Sequence, residues 1–99
     1  MGLYERWTAS DDTKIAVHAF AAALREVARG RRTVEELISV FALDAEDQTD
    51  LAALVAHFTG LGTVVAKEQW LLDLHGVMVL AEAGIYNEDQ CKAALGFGD

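Results

Sequence analysis

The sequence predicts an all-α protein: a compact bundle of about five helices over residues 10–95, with an N-terminal arm at 1–9 and a short flexible tail at 96–99. Three observations carry this. Apolar residues recur at three- and four-residue intervals in several stretches, and nowhere do they alternate with polar ones as in a half-buried strand. The chain has no proline, and its eight glycines fall mostly where those stretches stop. Capping residues stand where the stretches begin. A chain of 99 residues, 53% of them hydrophobic, makes one domain with room for one core.

The arm, Met1–Ala9, carries Leu3, Tyr4 and Trp7 with no clear helical period. Three large apolar side chains there suit either a partner surface or a lid folded back on the core. A small domain needs every large hydrophobe, which favours the lid. Both roles are met if the arm completes a neighbouring subunit's core. Ser10, Asp11 and Asp12 are candidate caps for a first helix from about Asp12 to Arg29. Val17, Phe20, Leu24 and Val27 form its stripe, widened by alanines. Arg25 and Arg29 suit the negative end of the helix dipole, and Gly30 suits the position after the last turn.

Thr33 and Glu36 fit a capping box, so the second helix runs from Val34 to about Phe41, burying Leu37, Ile38 and Phe41. Ala42–Leu43 turns into a third helix, the middle layer of the core. It is capped by Asp44, with Glu46, Asp47 and Asp50 in its first turns and Leu51, Leu54, Val55 and Phe58 on one face. Gly60 and Gly62 stop it. Thr63 caps the longest helix, Val64 to Ala83, whose seam is Leu71, Leu74, Met78 and Ala81. Val64, Val65, Leu72, Val77, Val79 and Leu80 make the same helix apolar on its other faces. Such a helix is central to the domain or meets another subunit with its spare face. Gly76 inside it costs about 1 kcal/mol relative to alanine, which close approach of another helix would explain. Gly84 ends it with Ile85 beside it. Asn87 and Gln90 then open a last helix, about Glu88 to Leu95.

Charge and motifs bound the function. A formal charge of −8 repels phosphate backbones, so nucleic acid is not expected as the main partner. The helix pair around Leu43 formally resembles helix-turn-helix, but Glu46, Asp47 and Asp50 stand where DNA contacts would be needed. Arg25, Arg29, Arg31 and Arg32 read as helix-end charges paired with nearby acids rather than a docking patch. The longest apolar run, Val77 to Ala81, is too short to span a bilayer, and Met1–Trp7 lacks a signal-peptide pattern. No membrane role is expected, and the chain reads as cytoplasmic.

Catalytic and metal signatures are missing too. His18, His57 and His75 lie on three different helices, none at metal-binding spacing, and are expected to be unrelated to one another. The acids after Leu43 fail the calcium-loop pattern, with Thr49 and Val55 where Gly and Glu are required. Ser10 and Ser39 lack a nucleophile motif. Cys91, the single cysteine, sits in a first helical turn beside Glu88 and Asp89, which oppose activation of its thiol. No enzyme activity, cofactor or metal is expected.

Several segments together resemble small all-helical proteins encoded among the virion structural genes of tailed bacteriophages. They are Leu3–Thr8, Asp11–Phe20, Thr33, Phe41–Leu43, Gln48–Leu51 and Lys67–Ala83 with its ending Leu80-Ala81-Glu82-Ala83. The similarity covers most of the chain, as spacing and capping positions, and brings no catalytic motif with it. It departs by ending at Asp99, soon after Gly96-Phe97-Gly98. The resemblance implies a non-enzymatic particle or assembly component: capsid, neck or tail, contacting other virion proteins or copies of itself. Its place would be the virion, and the host cytoplasm before assembly. Leu3, Tyr4, Trp7, Trp70 and Val77 are the expected protein-contact residues. The alternative is a small acidic regulatory protein that binds and inhibits a host factor.

Overall fold

Reciprocal side-chain caps fix where three of the helices begin. The Thr33 hydroxyl accepts the Glu36 N–H at 3.2 Å, and the Glu36 carboxylate accepts the Thr33 N–H at 3.2 Å. Asp44 and Asp47 exchange the same pair of bonds at 2.9 and 3.0 Å, and Asn87 and Gln90 at 2.8 and 2.9 Å. The computed structural model describes residues 1–97, and among these it contains six α-helices and no strand. They are α1 Leu3–Thr8, α2 Val17–Ala28, α3 Val34–Val40, α4 Ala45–Thr59, α5 Val64–Glu82 and α6 Glu88–Ala94. Thr63 caps α5 by accepting the Ala66 N–H at 3.1 Å.

Helix α5 is the hub and touches α1, α2, α4 and α6. Its seam of Leu71, Leu74, Met78 and Ala81 is fully buried. Phe20 and Leu24 of α2, Leu37 of α3, and Leu51, Leu54 and Phe58 of α4 fill the space around that seam. The all-α bundle expected from the sequence is the observed architecture. The helix beyond the expected five lies in the arm.

Residues 3–8 are that sixth helix and no extended arm: Leu3 and Trp7, four apart, share one face, and that face is in the core. The first long helix starts at Val17 rather than near Asp12. The main chain of α1 explains the delay: the Arg6 carbonyl accepts the Ile15 N–H at 2.8 Å, and the Arg6 side chain takes the Thr13 carbonyl. Both groups are thereby lost to helical bonding. The expected tail also differs. Phe97 packs against Trp70 and His57, and its N–H bonds the Lys92 carbonyl at 2.8 Å. Gly98 and Asp99 lie outside the described residues.

The turn from α3 to α4 contains Ala42 at φ +51°. It holds the position where α2 and α5 use Gly30 and Gly84, at φ +74° and +78°. The bonds are those of a helix-ending turn: Leu43 N–H to Ile38 carbonyl at 3.0 Å and Ala42 N–H to Ser39 carbonyl at 3.3 Å. An alanine there is strained by roughly 1–2 kcal/mol because of its Cβ.

Candidate functional site

Three of the four clustered arginines pair within the chain. Arg29 Nε meets Glu68 Oε1 at 2.8 Å, Arg31 approaches Glu26 at 3.6 Å, and Arg32 approaches Glu36 at 3.5 Å. The Arg29 guanidinium holds the Glu68 carboxyl below its ordinary value, first through that hydrogen bond. One basic residue outside the cluster is buried. Arg6 Nε donates to the Thr13 carbonyl at 2.6 Å, and Nη2 to the Phe41 carbonyl at 2.6 Å. Nη1 donates to Asp47 Oδ2 at 2.8 Å and to the Ala42 carbonyl at 3.2 Å. The guanidinium therefore ties α1 to the strained Ala42 turn and to the start of α4. Asp47 is fully buried, and its Oδ1 has no partner. Burial pushes its carboxyl up, against the pull of the Asp44 N–H and then of Arg6.

The expected contact residues face inward. Leu3 is 1% exposed, Trp7 4%, Val77 7% and Trp70 8%. Tyr4 is half-buried, and its hydroxyl donates to the Tyr86 carbonyl at 3.3 Å. Trp70 Nε1 donates to the Leu95 carbonyl at 3.1 Å, with its ring between Phe58, His57 and Phe97. These side chains hold the domain together, so the lid reading of the arm describes the structure. Large aromatics are scarce in this chain, and its core uses both tryptophans. Leu3, Tyr4 and Trp7 also form one wall of a cavity of about 300 Å³, with Leu54 and Cys91 across it. Burial, and then Glu88, push the Cys91 thiol up, which keeps it protonated. Trp7 Nε1 is buried with no hydrogen-bond partner among the described residues.

The surface left open is the back of α5. Val65 is 80% exposed, Leu72 55% and Val79 38%. These three recur every seven residues, with Gly76 between the last two. At about 100° per residue this strip is centred roughly 140° around the helix from the buried seam. A Cβ built on Gly76 would meet nothing within 4 Å. Leu72, Gly76, Val79 and the half-buried Leu80 line a shallow groove with His18 and His75 at its edge. Val64 and Ile85 add exposed apolar groups near the two ends of α5.

The histidines are not unrelated. His18 Nδ1 and His75 Nε2 are 2.7 Å apart, their rings edge to face, so α2 and α5 bring together residues 57 positions apart in sequence. Burial lowers the pKa of His75, and the charges of His18 and Arg25 lower it further. His57 stands apart, packed on Trp70 and Phe97 at ring separations of 4.7 and 5.0 Å. No sequence signal links His18 to His75, because their meeting depends on how α2 crosses α5.

No family model, curated protein or solved structure matches the chain. Among the described residues, no helix is long and apolar enough to cross a membrane.

Proposed function

We propose that this chain is a non-enzymatic structural or assembly protein of a tailed-phage particle, and that the open face of α5 is its contact surface. The placement in a capsid, neck or tail rests on the resemblance of its helical pattern to small virion proteins. The contact surface rests on Gly76. A glycine inside an exposed helix costs about 1 kcal/mol relative to alanine, and nothing within this chain requires it. Seated between Leu72 and Val79, it lets a partner's backbone come close to α5, and the flanking side chains supply apolar area to bury. The occupant is another virion protein or a second copy of this chain.

Two linked measurements test this. Quantitative mass spectrometry of purified particles, beside the infected-cell lysate, should find the chain at a fixed ratio to a known capsid or tail protein. Abundance in lysate with absence from particles would replace this reading with the acidic regulator of a host factor. Gly76→Ala should stabilise the isolated protein yet reduce its incorporation, and Leu72→Glu should reduce incorporation without unfolding the domain. Full incorporation of both variants would clear α5 of the role.

A further inference from the structure

We propose that His18 and His75 form a two-imidazole chelate for a borderline transition-metal ion of the zinc class, bridging α2 and α5. Both nitrogens that approach each other, Nδ1 of His18 and Nε2 of His75, are metal-ligating atoms. At 2.7 Å they share one proton, and only one lone pair is engaged in that bond. Two nitrogens bound to a tetrahedral zinc ion at 2.0–2.1 Å stand about 3.3 Å apart. The pair must therefore open by about 0.6 Å, and the proton between the rings moves through solvent to the other nitrogen of its own ring, leaving a lone pair on each facing nitrogen for the ion. His18 is exposed and can turn by that amount, while half-buried His75 is held on the central helix.

The surroundings suit a cation held in part by solvent. The pair lies at the edge of the shallow groove beside Gly76, where no side chain fills the space over the helix. Among the described residues no third histidine, cysteine or carboxylate completes a cluster, so water takes the remaining positions. Arg25 is the unfavourable neighbour. Against it stands a chain of net charge −8; the nearby Glu82 carboxylate is already paired with Lys14. The ion ties the first turn of α2 to the middle of α5, at the other end of α2 from the Arg29–Glu68 pair. This site does not depend on the particle assignment.

Calorimetric titration of the full chain with zinc chloride, alongside long-range ¹H–¹⁵N spectra of the imidazoles, tests it. The expected result is one zinc per chain, with the ring nitrogens of His18 and His75 shifting together while those of His57 stay in place. His18→Gln, at an exposed position that should not disturb folding, abolishes the binding heat, and His75→Gln does the same. Circular dichroism of both variants keeps a folding defect from passing as a lost ligand. No heat of binding in the wild-type chain, or zinc binding that survives His18→Gln, overturns the proposal. So does a shift confined to one ring.

Discussion

Replacing Arg6 with methionine should remove at least about a fifth of the stability of this domain. Methionine keeps the bulk of the stem and discards the guanidinium. Four hydrogen bonds go with it, three of them to the carbonyls of Thr13, Phe41 and Ala42 and one to Asp47. Asp47 is left as a carboxylate with no exposure, its Oδ1 already unpartnered, held only by the Asp44 N–H. Breaking a buried ion pair from one side costs about 3–5 kcal/mol, since the remaining charge stays out of water. A domain of this size has about 5–15 kcal/mol in total. Urea unfolding followed by far-ultraviolet circular dichroism should show that loss, and thermal melts a fall of at least about 12 °C.

The cause is separable from the size. Asp47→Asn keeps an oxygen for the Asp44 N–H but removes the charge. If the uncompensated carboxylate dominates, the double variant Arg6→Met with Asp47→Asn is less damaged than the sum of the single variants, by about 1–3 kcal/mol. Arg6→Lys should recover little, because one ammonium cannot reach four acceptors arranged for a planar fork. A loss under about 1 kcal/mol for Arg6→Met, or single variants adding within about 0.5 kcal/mol, would refute the account. Either result would mean that solvent reaches Asp47 and that packing by Leu3 and Trp7 alone holds α1.

Further outcomes follow from the same geometry. Trp7→Ala should cost about 3–5 kcal/mol, as expected for a buried aromatic, and urea titration reads it. A near-neutral result would mean that the arm is not part of the core. Ala42→Gly should raise stability by about 0.5–1 kcal/mol, because relief of the left-handed Cβ strain exceeds the added freedom of the unfolded chain. The measurement is the shift in urea midpoint, and a loss of stability would place the strain elsewhere. The pKa of His75 is lowered in the fold from its ordinary 6.5, so just below that pH the unfolded chain binds more protons. Stability in chelator-containing buffer should therefore fall as pH drops below about 6.5, and His75→Gln should flatten that part of the profile. Glu68 and Glu82, both lowered by basic partners, act in a separate window, losing their contribution as pH falls through the carboxylate range.

What could be read in the sequence was what depends on near neighbours. Thr33, Asp44, Thr63 and Asn87 placed four helix starts, because a cap and its partner lie within three residues of each other. The α5 seam was equally legible, since nineteen residues supply enough turns for a period to emerge. Helix α1 offers six residues and a single i,i+4 pair that is apolar at both positions, too few for a period, and its stability comes from packing rather than propensity. The Arg6–Asp47 bond spans 41 positions, and the role of Asp47 at a helix start already accounted for its presence. The His18–His75 pair spans 57 and left no local trace. The burial of Leu3 and Trp7 left no local trace for a related reason. Aromatic side chains at an arm suggest exposure only if the arm is free, and the anchor that holds it is Arg6.

The same helix therefore answers two demands that conflict. As the hub, α5 must be apolar toward α1, α2, α4 and α6, and its buried arc meets that with Trp70, Leu71, Leu74, Val77, Met78 and Ala81. A helix serving only that purpose would carry polar residues on its back, as the solvent faces of α3 and α6 do with Glu35, Glu36, Glu88 and Asp89. Its back has Gln69 and Asp73, but one strip of it carries Val65, Leu72 and Val79, with an unshielded glycine in their midst. Folding of the isolated chain gains little from Val65, which stays mostly in water, and only part of what Leu72 and Val79 could give. The glycine lowers helix propensity in the middle of that strip. Both features work against the isolated chain, and the contact proposed for this face would answer both: a partner backbone seated over Gly76, with Leu72 and Val79 buried on either side.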